Sequence, residues 1–442
     1  MNINDKDKKS LAFYGGTSVR KKPWPVWPRA NKETEQVLIK VLHSGRWAIS
    51  GAFKGAESYE RQFAKAFSSY IGTSFCTPTT SGTGALTIAL LALGVGPGDE
   101  VLVPGLTWVA CASSVVCVGA TPVLVDINLE NLAMCPRQAR RHIGKKTKAI
   151  ILVHPFCRVA DIDAFLTISN DFKIPIIEDC SQAHGARWRG KRVGSFGAVG
   201  CFSMQQSKTL TSGEGGATVT NDVEIYDRLE QLRCDGRRFT SDSERVINFL
   251  ELIEKGTVLG QNLNLSEFQA AVLFDRLKHL DAENNIRRDQ IERFKTEARE
   301  KNLSVIEFLP EQVLAENVCY NLVLRINRSR VNQVSVDQFC RLLSAELKSG
   351  VFPIYQPMNR HRLYCPLNSP RVKEIHGRLG NFDPGQFDLP NAVKAREMYF
   401  SIPHNIFLDD FAHLDLAKAI MKVSDILKVI PDIVNIEDVR AF

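Results

Sequence analysis

KAIILVH (residues 148–154), a helical stretch over 161–172 and IPIIEDC (174–180) form one unit of a pattern, and that pattern decides the fold. The two flanking runs are short, rich in Ile and Val and lack polar alternation, which is how a strand reads when both of its faces are buried. Strand, helix and strand in that order imply a βαβ unit with a right-handed crossover. The alternation extends outward. Upstream lie EVLVPG (100–105), a helical stretch over 108–118, TPVLVDI (121–127) and another helical stretch over 136–143. Downstream lie two more short strands, VGCFSM (199–204) and GGATVTN (215–221). The spacing predicts an α/β fold with a mainly parallel sheet covered by helices on both faces. Residues 33–43 and 57–69 predict helices ahead of the sheet, and a long helix is expected from near Leu265 to about residue 300. The remainder mixes strands such as CYNLVLRI (319–326) with helices over 334–347 and 411–428. The expected division is an N-terminal extension over 1–32, a large domain over 33–285 and a small C-terminal α+β domain over 286–442.

Length and composition narrow the function. A chain of 442 residues, 44% hydrophobic and 24% charged, suits two packed domains with sizeable interiors. The net charge of +7 is spread over 56 basic and 49 acidic residues without a block of like charge, so no nucleic-acid partner is expected. The polar opening MNINDKDKKS has no apolar core of a leader peptide, and no run of eighteen apolar residues follows, so a cytoplasmic protein without a membrane partner is expected. The 11 cysteines are odd in number, form no C-x-x-C pair and fall partly inside apolar runs. They read as reduced, buried thiols, with neither a disulfide frame nor a metal site.

In a sheet of this kind ligands gather where strands end. PTTSGTGALTIALLAL (78–93) places Ser81, Gly82 and Thr83 ahead of a helix, where backbone N–H groups and hydroxyls suit a phosphate, although a plain helix cap explains them equally well. Asp179 ends the strand IPIIED, a position that also suits a simple turn residue. Lys208 follows the strand VGCFSM in SMQQSKTLTSGEGG (203–216). Most lysines are solvated surface groups, but one in a pocket is the amine that forms Schiff bases with carbonyl compounds. A phosphate-holding helix start, an acid and a lysine, each at a strand end, together describe a site for pyridoxal phosphate.

TTSGTGAL, VPGLTWVA, IIEDCSQAHG, GCFSMQQSKTLTSGEGG and GQNLNLSEFQAA resemble, in order, the successive motifs of the DegT/DnrJ/EryC1/StrS aminotransferases. WPVWP (24–28), SGRWAISG (44–51) and the S-x-Q-Q-x-K version of the lysine motif resemble the branch that aminates cyclitol ketones. The resemblance implies the aspartate aminotransferase type of fold (fold type I), pyridoxal phosphate as cofactor, L-glutamine as amino donor, a cyclic ketone as acceptor, and a homodimer with shared active sites. It implies that Lys208 carries the cofactor and shuttles the proton, and that Asp179 pairs with the ring nitrogen. Gln182 would bond the ring's O3′ region, and Trp108 would stack on the ring. Gly82, Thr83, Ser203 and Ser81 would hold the phosphate, and Asn262 would reach the neighbouring subunit's phosphate. His184, Gln205, Gln206 and Trp47 are candidates for substrate contact, and Glu214 for bracing the loop.

The chain also departs from the family pattern. HPFC (154–157) puts Pro155 and Cys157 where the family has leucine and glycine, and a side chain there is expected to narrow the pocket or shift its backbone. Asn264 stands where many members have arginine, which disfavours an anionic acceptor. Arg158, Arg187 and Arg189 are alternative sources of that charge. Three rival readings remain. A nucleotide-sugar aminotransferase would share every cofactor residue, a family dehydratase would have histidine in place of Lys208, and a non-catalytic regulator or scaffold would be expected to lack Lys208 or Asp179.

Overall fold

The structure, a computed structural model, describes residues 10–331, 334–379 and 383–429. Its main sheet has seven strands: β1 (Phe75–Thr79), β2 (Glu100–Pro104), β3 (Thr121–Val125), β4 (Thr147–Val153), β5 (Ile176–Asp179), β6 (Val199–Ser203) and β7 (Gly216–Thr220). They lie in the order β1-β7-β6-β5-β4-β2-β3. From β3 across to β6 all neighbours are parallel. β7 runs antiparallel to both β6 and β1, so the sheet is mixed and mostly parallel, as expected.

Helices α1 (Lys32–His43) and α2 (Tyr59–Ile71) precede the sheet, and α3 (Gly82–Ala92), α4 (Ala110–Cys117), α5 (Pro136–His142) and α6 (Ile162–Phe172) connect successive strands. α7 (Val223–Arg233) follows β7. GTGALTIALLA in α3 is largely apolar because most of its surface is packed, against β6, β7, α4 and α7. Its start therefore sits rigidly at the carboxyl edge of the sheet.

The long helix expected from near Leu265 is two helices, α8 (Glu267–Leu277) and α9 (Leu280–Glu300), with a turn at Lys278 and His279. The turn lets each piece bury a different face. α8 packs on α1 and α2, where Thr34 Oγ1 donates to Asp275 Oδ2 at 2.7 Å, while α9 packs on the helix near the C-terminus. A capping box between Ser266 and Gln269 starts α8.

A second sheet, β8 (Ile306–Phe308), β9 (Asn321–Ile326), β10 (Phe352–Pro353) and β11 (Tyr399–Pro403), is antiparallel throughout, in the order β8-β9-β11-β10. It packs with α10 (Val336–Leu347) and α11 (Ala412–Val429) around its own apolar core, which Leu11 enters from the N-terminal segment. Arg20 holds that segment down through Asp409 at 2.6 Å and Asp415 at 2.9 Å. Farther along, the Trp27 indole donates to the carbonyls of Gln206 and Lys208, at 3.1 and 3.2 Å. The opening of the chain thus braces the turn that carries the lysine.

Candidate active site

The ends of β5 and β6, the start of α3 and the edge of the second sheet surround a cavity of about 560 Å³. Asp179, Lys208, Ser81, Gly82, Thr83 and Ser203 all line it, as do Trp108, Gln182, Gln205 and Glu214. Residues as far apart in sequence as Ser81 and Glu214 are therefore brought to one place by the order of the strands and the packing of the second sheet against them.

Ser81 caps α3, its Oγ accepting from Gly84 N–H at 3.0 Å. This spends the cap on a serine and leaves the N–H groups of Gly82 and Thr83 in the first turn, which has no intrahelical acceptors to offer them. The approach is close enough to require glycine. A Cβ on Gly82 would lie 2.5 Å from Ser203 Cβ, and one on Gly216 would lie 2.4 Å from the carbonyl carbon of Ser81. Helix start, β6 and β7 thus form a narrow cradle of backbone and hydroxyl groups with the positive end of a helix dipole behind it.

Asp179 is 5% exposed, its Oδ1 accepting from Ser181 N–H at 3.0 Å and its Oδ2 from the Cys111 thiol at 3.0 Å. Gln182 is held at both ends. Its Oε1 accepts from Phe156 N–H at 2.7 Å and its Nε2 donates to the Tyr355 hydroxyl at 3.1 Å, which leaves one amide N–H for the cavity. Trp108 stands half-exposed with its indole 6.1 Å from the Tyr355 ring. Lys208 is 9% exposed, and its ammonium lies 4.3 Å from the centre of the Tyr320 ring, a cation–π contact.

Other expected residues lie elsewhere. His184 is fully buried outside the lining, and burial, aided by the charge of Lys208, lowers its pKa to about 3, so its imidazole is neutral. Trp47 does not line the cavity of this chain: its indole rests on Phe268, 5.5 Å away, and donates to the Leu42 carbonyl. Gln206 points to solvent, and Asn262 is exposed, its Oδ1 accepting from Asn264 Nδ2 at 3.0 Å. Cys157 does not narrow the cavity. The lining residue of HPFC is Phe156, whose left-handed backbone (φ 58°) accompanies a ring stacked on Tyr355, while Cys157 packs between the two main cores. The three alternative arginines are engaged away from the lining: Arg158 with the Pro310 carbonyl, Arg187 with Glu316 at 3.8 Å and Arg189 with Asp163 at 2.8 Å.

The profile of the DegT/DnrJ/EryC1/StrS aminotransferase family matches residues 28–375. The chain belongs to that family. It is an aminotransferase, and its cofactor is pyridoxal phosphate. Over 418 residues it is 42% identical to the L-glutamine:2-deoxy-scyllo-inosose aminotransferase of Micromonospora echinospora, covering 93% of this chain and 97% of that one. Over 417 residues it is 41% identical to the L-glutamine:scyllo-inosose aminotransferase of Streptomyces griseus, covering 94% and 98%. A solved structure of 3-amino-5-hydroxybenzoic acid synthase superposes with a TM-score of 0.74 at 27% identity, covering 92% and 99%.

The cavity fits the family's cofactor. It offers a glycine-lined cradle for a phosphate, a buried carboxylate with unused acceptor capacity and a buried amine on one concave surface. Several lining residues carry no sequence signal of their own. Tyr320, Phe352 and Tyr355 come from the second sheet and its approaches, and only tertiary packing brings them in. Cys111 lies in the first turn of α4, and its N–H donates to the carbonyl of Trp108, just ahead of that helix, at 3.3 Å.

Proposed function

We propose that this aminotransferase moves the α-amino group of L-glutamine to a polyhydroxylated cyclic ketone, scyllo-inosose or 2-deoxy-scyllo-inosose, in the formation of an aminocyclitol. The observation that carries the reading is the charge of the lining. Among the described residues Lys208 is the only cation there; Asp179 and Glu214 are carboxylates, and Gln205, Ser207, Asn321 and Ser401 add neutral polar side chains. Neutral amides and hydroxyls both donate to and accept from ring hydroxyls, whereas a diphosphate calls for arginine or several helix ends. The names of the similar enzymes support the same donor and acceptor.

Bound pyridoxal phosphate supplies a carbonyl that condenses with amines and a ring that takes up the electron pair released at the donor's Cα. Lys208 would hold that carbonyl through Nζ and, once released, would move the proton from the donor's Cα. Asp179 keeps a proton on the ring nitrogen. Gly82, Thr83 and Ser203 would bind the phosphate, with Ser81 fixing the helix start behind them, and Trp108 would pack against the ring. Gln182, with one N–H left over, would donate to the ring oxygen, and Gln205 with Ser207 would orient the ketone. Asn262, exposed on a segment whose Leu263 carbonyl bonds Thr80 N–H beside the cradle, would reach the second subunit of a homodimer.

The test is a competition at fixed L-glutamine, measuring kcat/KM for scyllo-inosose and for a nucleotide-linked keto-sugar. The inosose should be preferred clearly. Preference for the nucleotide-linked ketone would overturn the acceptor and leave the cofactor chemistry standing. Borohydride reduction of the holoenzyme followed by peptide mapping should find the cofactor fixed on Lys208.

A further inference from the structure

Cys111 makes a contact that the proposed chemistry has not used. It sits in the first turn of α4, is 1% exposed and yet borders the cavity. Its Sγ lies 3.0 Å from Asp179 Oδ2 and 3.7 Å from Thr107 Oγ1. The other carboxylate oxygen of Asp179 takes the Ser181 N–H, so one backbone donor and one thiol fix the plane of the carboxylate. Burial, together with the neighbouring Asp179 carboxylate, raises the thiol's pKa well above its ordinary value, and Sγ keeps its proton as a donor.

We propose that Cys111 is a positioning residue for Asp179, its S–H aiming the carboxylate toward the cofactor's ring nitrogen without taking away the carboxylate's basicity. The inference rests on the reading of Asp179 as the ring-nitrogen partner. A carboxylate that must hold a proton on a ring has two needs in conflict. It must be oriented, which takes donors, and it must stay basic, which strong donors oppose. A thiol is a weak donor and meets both needs. A hydroxyl there would bond more strongly and lower the carboxylate's affinity for the ring proton. An aliphatic side chain would leave Oδ2 without the thiol donor and the carboxylate held by the Ser181 N–H alone.

This differs from cavity filling in one respect: the thiol acts only through Asp179. The experiment is a double-mutant cycle on the full chain, using Cys111→Ala, Cys111→Ser, Asp179→Asn and the two combinations. Each is stripped of cofactor and titrated with pyridoxal phosphate, reading the dissociation constant and the absorbance of the bound ring against pH. Thermal unfolding of each cofactor-free protein checks folding. In the parent, Cys111→Ala should weaken binding by about threefold to tenfold, the effect of losing one modest hydrogen bond. Cys111→Ser should recover most of the affinity while shifting the pH response of the ring absorbance. In the Asp179→Asn background Cys111→Ala should change nothing further.

An equal loss in both backgrounds would overturn the proposal, because the thiol would then serve the fold or the cofactor directly. No loss in the parent, with Asp179→Asn itself impaired, would overturn the positioning role alone. If Asp179→Asn alters neither affinity nor the ring absorbance, the reading of Asp179 fails and the role of Cys111 falls with it.

Discussion

Two carboxylates occupy neighbouring positions at the end of β5, and their surroundings are opposite. Glu178 faces the interior on one side of the sheet, and its two oxygens take four donors. Oε1 accepts from Phe196 and Gly197 N–H at 2.7 and 2.6 Å, and Oε2 from Gly194 N–H at 2.8 Å and His154 Nε2 at 3.3 Å. The His154 Nδ1 accepts from Ala160 N–H, so Nε2 carries the proton. Asp179, on the other side, takes two donors among the described residues and borders the cavity. Saturation separates a carboxylate that holds a fold together from one left free to bind. His154, Glu178 and Cys180 also bring three ligand atoms within 4.8 Å of one another, but the donors already on Glu178 account for that geometry.

The contrast is sharpest in mutants. Asp179→Asn should leave thermal unfolding nearly unchanged while slowing the half-reaction with L-glutamine by about three orders of magnitude, since each tenfold is 1.36 kcal/mol of lost stabilisation. Stopped-flow absorbance measures it. An unimpaired rate would show that the cavity-facing carboxylate is not the working one. Glu178→Gln should do the reverse. Its amide would turn N–H groups toward backbone donors, costing about 3 kcal/mol of stability, with the rate constant of the folded fraction close to the parent. Denaturant unfolding and active-site titration separate the two effects.

Acid should reveal Glu178 without mutation. Burial raises its pKa, but the His154 and backbone N–H donors outweigh burial and leave it below the usual 4.5. A carboxyl with a depressed folded value contributes stability that is whole above its unfolded pKa and is lost as pH falls toward the folded one. Unfolding midpoints should therefore drop below about pH 4.5 in the parent, and less steeply in Glu178→Gln. Equal slopes would show that Glu178 is not responsible.

Much of this was readable from the residues in order. Parallel strands announced themselves as unalternated apolar runs, and strand ends marked Asp179 and Lys208, because local patterning carries both signals. The turn at Lys278 was not readable, since both flanking segments are helical and only packing on different partners divides them. Which residue of HPFC enters the cavity was not readable for a related reason: a left-handed Phe156 turns its own ring inward and Cys157 away, and nothing in the sequence fixes that φ. Trp47 is an exposed aromatic whose neighbours within one chain say nothing of a substrate.

The smallest effect concerns another neighbouring pair, Gln205 and Gln206, identical in type and alike in sequence context. Gln205 borders the cavity with its Oε1 committed to Ser207, accepting from its N–H and its hydroxyl at 2.8 Å each, so its amide N–H groups are the part left to meet a ligand. Gln206 is exposed, and its backbone carbonyl accepts from the Trp27 indole. Gln205→Ala removes both a donor and the brace on Ser207, and should raise the KM for the ketone by about fivefold, the equivalent of one modest hydrogen bond. The half-reaction with L-glutamine should change less. Gln206→Ala should stay within about twofold for both, as exposed positions usually do. Steady-state kinetics with the ketone varied at saturating L-glutamine measures the difference. Equal effects at the two positions would mean that the boundary between site and surface does not fall between them, and that the loop around Lys208 moves as one piece when substrate binds.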